Sequence, residues 1–137
     1  MLFKILGDQI DNSRVELLYN KGEDGILMVR VDKSRLEQVL SNLLSNGIKF
    51  TKEGTISLNV EKKDNQALVT VKDTGPGIDP EMLPRLFSKF ATKSERGAGL
   101  GLFICKNIIE AHGGRIWAEN NSDGKGAKFS FSLAIKN

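Results

Sequence analysis

The sequence has one cysteine, Cys105, and one histidine, His112. A single cysteine excludes an internal disulfide and any multi-cysteine zinc site. A single histidine cannot anchor a multi-histidine metal centre. Basic residues outnumber acidic ones only by 20 to 17, and they are scattered, with no run longer than Lys62-Lys63. That distribution describes a solvated mixed surface, so no nucleic-acid partner is expected. No apolar run approaches the ~20 residues of a membrane span, so no direct membrane contact is expected either. The first ten residues, MLFKILGDQI, place a lysine inside the apolar stretch and Asp8 soon after, unlike a signal peptide. A cytoplasmic location is expected, which leaves open whether a longer parent protein is membrane-anchored.

The 137 residues, 39% of them apolar, suffice for one domain with a substantial core and are too few for two. There is no internal repeat and no low-complexity segment. Residues 1–25 read as a short N-terminal helix over Leu2 to Asn12, then a strand, RVELLYN, and the turn KGEDG. ILMVRV reads as another short strand. Asp32 is placed to cap a helix from about Lys33 to Phe50. TISLNV and ALVTVKD make a hairpin around DNQ, with Ile56, Leu58 and Val60 on one strand and Ala67, Val69 and Val71 on the other facing inward. Asp79-Pro80-Glu81 is a helix-start signature, and Pro84 ends or restarts that short helix. LGLFICKNIIEAH is a helix with Leu102, Cys105, Ile108 and Ile109 inward, closed by Gly113-Gly114. RIWAEN and AKFSFSLAI form the last hairpin. The sum is an α+β two-layer sandwich, a mixed sheet of about five strands covered on one face by about three helices.

Three places carry candidate chemistry. On the helix from Lys33, Leu36, Val39, Leu40, Leu43, Gly47 and Phe50 form an apolar stripe, and Asn42, Asn46 and Lys49 fall along one edge of it. Asparagine is a mediocre helix former, so two of them four apart ask for a reason. An amide oxygen suits Mg²⁺, which takes few protein ligands and keeps several waters, and Lys49 offers a point charge for a phosphate. The plainer reading is a solvated boundary.

Asp73 shares strand parity with Ala67, Val69 and Val71 and therefore points inward. An ionised carboxylate is acceptor-only and needs donors there. An exocyclic amino group such as adenine N6 suits it, whereas the guanine carbonyl at that position is repelled. Gly75 and Gly77 permit close approach by a flat ring. The plainer reading is a turn whose amides Asp73 caps. Third, Gly97, Gly99 and Gly101 alternate at the entrance to a helix, where bare backbone amides can hold an anion. No Gly-Lys-Ser/Thr follows, so this is no P-loop, and no strand precedes, so it is no dinucleotide fingerprint. Lys93 and Arg96 just upstream could close over phosphates. A flexible polar loop is the competing reading.

The order of these signals is specific. Asn-x-x-x-Asn-x-x-Lys on a helix, Asp-x-Gly-x-Gly after a strand, Phe87-x-x-Phe90, then Gly-x-Gly-x-Gly into a helix resembles the catalytic, ATP-binding domain of two-component sensor histidine kinases. RLEQVLSNLLSNGIKF, VKDTGPGI, LFSKF, GAGLGLFICKNIIEAHGGRIWAEN and GKGAKFSFSL all look like that family, over roughly residues 26–135. The resemblance implies the Bergerat (GHKL) sandwich. It implies that Asn46 ligates Mg²⁺ with Asn42 assisting, that Lys49 reaches the phosphates of ATP, and that Phe50 lies near the nucleotide. It implies that Asp73 reads the adenine amino group, with Gly75, Gly77 and Ile78 shaping its pocket. Residues 90–101 would be the ATP lid, anchored by Phe87 and Phe90. Lys93, Arg96, Gly97, Ala98, Gly99, Leu100, Gly101 and Leu102 would line the nucleotide from that side. Asn42 and Lys49 would be the catalytic residues.

An amide at position 42 cannot act as a general base near neutral pH. The gyrase-like members carry a glutamate there, so transfer to an external acceptor fits better than hydrolysis. His112 stands before Gly113-Gly114 at a helix end and reads as a helix cap, not as the phospho-acceptor. The implied partners are therefore a histidine-bearing dimerisation domain and a response regulator, and the domain itself is expected to be a monomer. A non-catalytic ATP-binding module and an anti-sigma-type serine kinase of the same fold are the competing functions. Ala127-Lys128 stand where many members have a hydroxyl residue near the adenine pocket.

Overall fold

Five strands and two α-helices account for most of the residues that the computed structural model describes, which are 14–20, 27–51, 53–89 and 100–135. In chain order they are β1 (Arg14–Asn20), α1 (Lys33–Phe50), β2 (Glu53–Lys63), β3 (Gln66–Asp73), α2 (Gly101–Ala111), β4 (Arg115–Asn120) and β5 (Ala127–Ala134). The helix expected over Leu2–Asn12 and the KGEDG turn lie outside the described residues.

The strands form one sheet in the order β1-β2-β3-β5-β4. β1 runs parallel to β2, from Arg14↔Glu53 to Asn20↔Asn59, and every other pairing is antiparallel. The β2–β3 hairpin closes through Asp64 and Asn65, both at positive φ (51° and 63°). Asp and Asn tolerate that region, and consecutive positive φ values match the twist of a tight hairpin. The inner face alternates as expected. Ile56 pairs with Asp73, Leu58 with Val71, and Val71 with Phe129. These residues are buried, with Phe131 and Leu133 beyond them on β5.

Both helices lie against that face. Asp32 caps α1, its Oδ1 accepting from the Arg35 N–H at 3.2 Å. Val39, Leu43, Leu44 and Gly47 are buried, while Leu36 and Leu40 are half-buried. Leu44, beside the predicted stripe, is buried as well, and α2 covers the opposite edge of α1 at Val39 and Asn42. α2 buries Cys105, Ile108 and Ile109, as its periodicity requires. These residues and the sheet's inner face make one contiguous core.

Two expected elements differ. The helix started by Asp79-Pro80-Glu81 does not form. Asp79 Oδ1 accepts from the Glu81 N–H at 3.0 Å in a turn, and only a 3-10 turn follows at Leu83–Arg85. Pro84 has no N–H to bond back to Pro80, so an α-helical first turn cannot propagate. Of the strand expected over ILMVRV, the described residues 27–31 form one isolated bridge, Val29↔Ile135. β5 already has β3 and β4 on its two edges, so Val29 can pair only past the end of β5. Among the described residues no helix is long and apolar enough to cross a membrane.

His112 ties the two helices together. It caps α2, with Nδ1 donating to the Ile108 carbonyl at 2.8 Å, and Nε2 accepts from the Asp32 N–H at 3.1 Å. Both ring nitrogens are engaged, which fixes the Nδ1–H tautomer. His112→Ala removes both bonds and is expected to cost about 1–2 kcal/mol of stability, read by urea unfolding. An unchanged midpoint would show that the stitch contributes nothing.

Candidate functional site

Asp73 ends β3 and is 6% exposed. Its Oδ1 accepts from the Gly75 N–H at 2.9 Å and from the Ala127 N–H at 3.2 Å. No hydrogen bond to Oδ2 is seen among the described residues. One oxygen is therefore fixed by the protein, and the other is left to accept from something else. Gly126 makes this possible. It sits at φ +83°, and a Cβ there would come within 2.0 Å of the Asp73 carbonyl oxygen. Only glycine lets the β4–β5 loop approach so closely.

That loop is held by an amide the sequence reading passed over. Asn121 is buried, and its Nδ2 donates to the Asp73 carbonyl at 2.8 Å and to the Lys125 carbonyl at 2.7 Å. Its Oδ1 is buried without a partner among the described residues. Next to it, Asn120 bonds both backbone groups of Ile78. The signal for this pair was present as two consecutive asparagines at the end of a strand, but asparagine there reads simply as a turn residue.

The DTGPGI loop passes in front of Asp73. Gly77 takes φ +86°, which favours glycine, whereas Gly75 is not at positive φ and contributes through its N–H. Ile78 is half-buried against the core. Phe87 packs edge-on against Phe129, centroids 6.4 Å apart and planes at 81°.

The asparagine ridge takes its place on α1. Asn42 and Asn46 are half-buried and Lys49, in the last turn, is exposed. Gly47 faces the sheet, and a Cβ there would lie 3.2 Å from Ile56 Cδ1. Ile56 is the register partner of Asp73. The ridge and the carboxylate therefore sit over the same end of the β2–β3 pair. Asn42 Nδ2 reaches the first turn of α2, 3.5 Å from the Gly101 carbonyl and 3.7 Å from Cys105 Sγ. This turns the amide nitrogen toward α2 and leaves its oxygen unbonded among the described residues. The Asn46 amide makes no hydrogen bond among them. Leu100 is exposed and Leu102 is half-buried at the start of α2. Phe90, Lys93, Arg96, Gly97, Ala98 and Gly99, and the side chain of Phe50, lie outside the described residues.

Among the described residues no group of three His, Cys, Asp or Glu side chains could hold a metal ion. The donors on the ridge are neutral amide oxygens, which suit an ion that brings its own waters and phosphate ligands. Cys105 is fully buried beneath Asn42, and burial pushes its thiol up to about 11, against a smaller lowering by the Asn42 hydrogen bond. Its folded value lies above the ordinary 9.0. The stability it confers is therefore fully present below pH ~9 and is lost as pH rises toward ~11, by up to about 2–3 kcal/mol. Relative to Cys105→Ala, the parent chain should lose stability over that window in urea titrations. Parallel curves would show that the thiol is not protected.

Comparison with known proteins shows the family and the fold. The family described as histidine kinase-, DNA gyrase B- and HSP90-like ATPase matches residues 31–137. The sensor protein KdpD of Clostridium acetobutylicum is 44% identical over 117 residues, covering 80% of this chain and 13% of KdpD. The sensor histidine kinase WalK of Bacillus subtilis is 37% identical over 122 residues, covering 82% of this chain and 20% of WalK. The chain thus spans well under a third of these relatives. Among solved structures, the catalytic domain of the histidine kinase ThkA superposes with a TM-score of 0.86 at 34% identity, covering 97% of this chain and 87% of that one. Full-length ShkA in complex with AMPPNP superposes at 0.88 with 28% identity, covering 99% of this chain and 29% of that one.

Proposed function

The chain belongs to the histidine kinase-, DNA gyrase B- and HSP90-like ATPases, and from that premise we propose that it is the ATP-binding catalytic domain of a sensor histidine kinase. It takes Mg-ATP and donates the γ-phosphoryl group to a histidine on a separate dimerisation domain, from which a response regulator is served. The observation that carries the nucleotide reading is the Asp73 carboxylate, one oxygen fixed by two backbone amides and the other without a partner among the described residues. A fixed acceptor-only group at the end of a strand recognises an amino group and rejects a carbonyl. Its preference is therefore for adenine over guanine.

The chain's own residues then have distinct tasks. Asp73 orients the base, and Gly77 and Ile78 form the wall beside it. Asn46 and Asn42 offer amide oxygens at the phosphate end, and Lys49 adds positive charge there. Mg²⁺, when bound, would neutralise phosphate charge, and the donor set fits it: neutral amides, half-buried, with oxygens unbonded among the described residues. The transfer breaks the γ-phosphorus bond to the bridging oxygen, releases ADP, and forms a phosphorus–nitrogen bond to an imidazole. The protein contributes positioning and charge, with no nucleophile of its own. Asn42 supplies no general base for water. His112 is not the acceptor in this reading, since both its ring nitrogens are used within the fold.

Asp73→Asn puts an NH₂ group where the free carboxylate oxygen was. A loss of about 10- to 150-fold in ATP affinity, or about 1.5–3 kcal/mol, is expected by calorimetry. Unchanged affinity would remove Asp73 from the adenine site. Asn46→Ala should abolish most of the Mg²⁺ dependence of ATP binding. The same titration with an unaltered Mg²⁺ response would take Asn46 out of the metal site.

A further inference from the structure

The backbone of Ile78 is held at both of its polar groups by one side chain. Its N–H donates to Asn120 Oδ1 at 2.7 Å, and its carbonyl accepts from Asn120 Nδ2 at 2.8 Å. Both are short, well-formed bonds. They span 42 residues in sequence. The amide acts as one rung of a sheet ladder, satisfying a donor and an acceptor that the loop after β3 has no strand to satisfy. Gly77 completes the arrangement, because a Cβ on it would lie 2.9 Å from Asn120 Oδ1. Among the described residues no other hydrogen bond holds the Gly77–Ile78 backbone.

Asn120 closes β4, which is paired along its length with β5. The side chain therefore joins the loop to the rigid sheet. Its neighbour Asn121 holds Asp73 by one bond, Nδ2 donating to the Asp73 carbonyl at 2.8 Å. The Gly77–Ile78 backbone and the loop that packs on Asp73 are thus both tied to the end of β4, and they lie side by side, since a Cβ on Gly77 would be 3.4 Å from the Gly126 carbonyl.

We propose that Asn120 is a positioning residue for the nucleotide: by clamping Ile78 it sets the distance between the Gly77–Ile78 wall and the Asp73 carboxylate, and so the width of the slot that takes the base. This rests on the reading that Asp73 receives adenine. Asn120 need not touch the nucleotide. It acts through Ile78 and leaves the phosphate end unaltered.

The test uses the intact chain and calorimetric titration with ATP, with and without Mg²⁺, beside thermal unfolding of each variant. Asn120→Ala should lose about tenfold or more in ATP affinity, by loss of two neutral hydrogen bonds that shape the site. The ratio of affinities with and without Mg²⁺ should stay within about twofold of the parent's, because the asparagine ridge is untouched. His112→Ala, which loosens the fold away from the pocket, serves as the control and should keep ATP affinity. Asn120→Asp keeps the shape and the acceptor for the Ile78 N–H, but sets an oxygen against the Ile78 carbonyl. It should still lose at least about threefold. Unchanged ATP affinity in Asn120→Asp and Asn120→Ala would overturn the proposal. So would equal losses in Asn120→Ala and His112→Ala, which would make the residue structural only. A parent chain that binds no ATP would remove the adenine reading itself, a different failure from that of Asn120.

Discussion

The arrangement depends on a buried carboxylate that the described residues satisfy at one oxygen only. Leaving an ionised group in a protein interior costs several kcal/mol unless donors meet it. Asp73 meets two backbone amides with one oxygen, from Gly75 just after it and from Ala127 at the start of β5. For Ala127 to be there, the β4–β5 loop must press against the Asp73 backbone, which Gly126 allows and Asn121 secures. For Gly75 to be there, the chain must turn at once after β3. The conformation of both loops follows from keeping one carboxylate oxygen bonded and the other accessible.

The second half of the site comes from helix packing. Gly47 lets α1 settle onto Ile56, and Ile56 lies beside Asp73 in the sheet. α2 then packs on α1, with Asn42 reaching the Gly101 carbonyl and Cys105. Asn42 and Asn46 are half-buried at the edge of that packing, where a neutral amide tolerates both the core and its surroundings despite poor helix propensity.

Much of this was legible in the sequence, for definite reasons. Strand parity alone turned Asp73 inward, because alternation has a period of two and the flanking Ala67 and Val71 are apolar. Asp32 as a cap, DNQ as a hairpin turn and His112 at a helix end are local signals that no tertiary contact overrides. What was not legible is what depends on contacts distant in sequence. Leu44 is buried although it falls beside the predicted stripe, and periodicity on one helix cannot show what packs there. ILMVRV has strand composition, but of its described residues only Val29 pairs, past the end of β5, whose two edges are taken by β3 and β4. Asn120 and Asn121 carry no pattern of their own, and their partners Ile78 and Asp73 are more than forty residues away. The short helix expected from Asp79 gives way to turns, because Pro84 has no N–H to bond back to Pro80, and only the 3-10 turn at Leu83–Arg85 remains.

The measurement that bears most directly on the central claim is calorimetric titration of the unaltered chain with ATP and with GTP, each with and without Mg²⁺. The account predicts binding of ATP, no comparable binding of GTP, and a Mg²⁺-dependent component to the ATP affinity. Equal affinity for the two nucleotides would contradict the role given to Asp73, and with it the account of why both loops are built as they are.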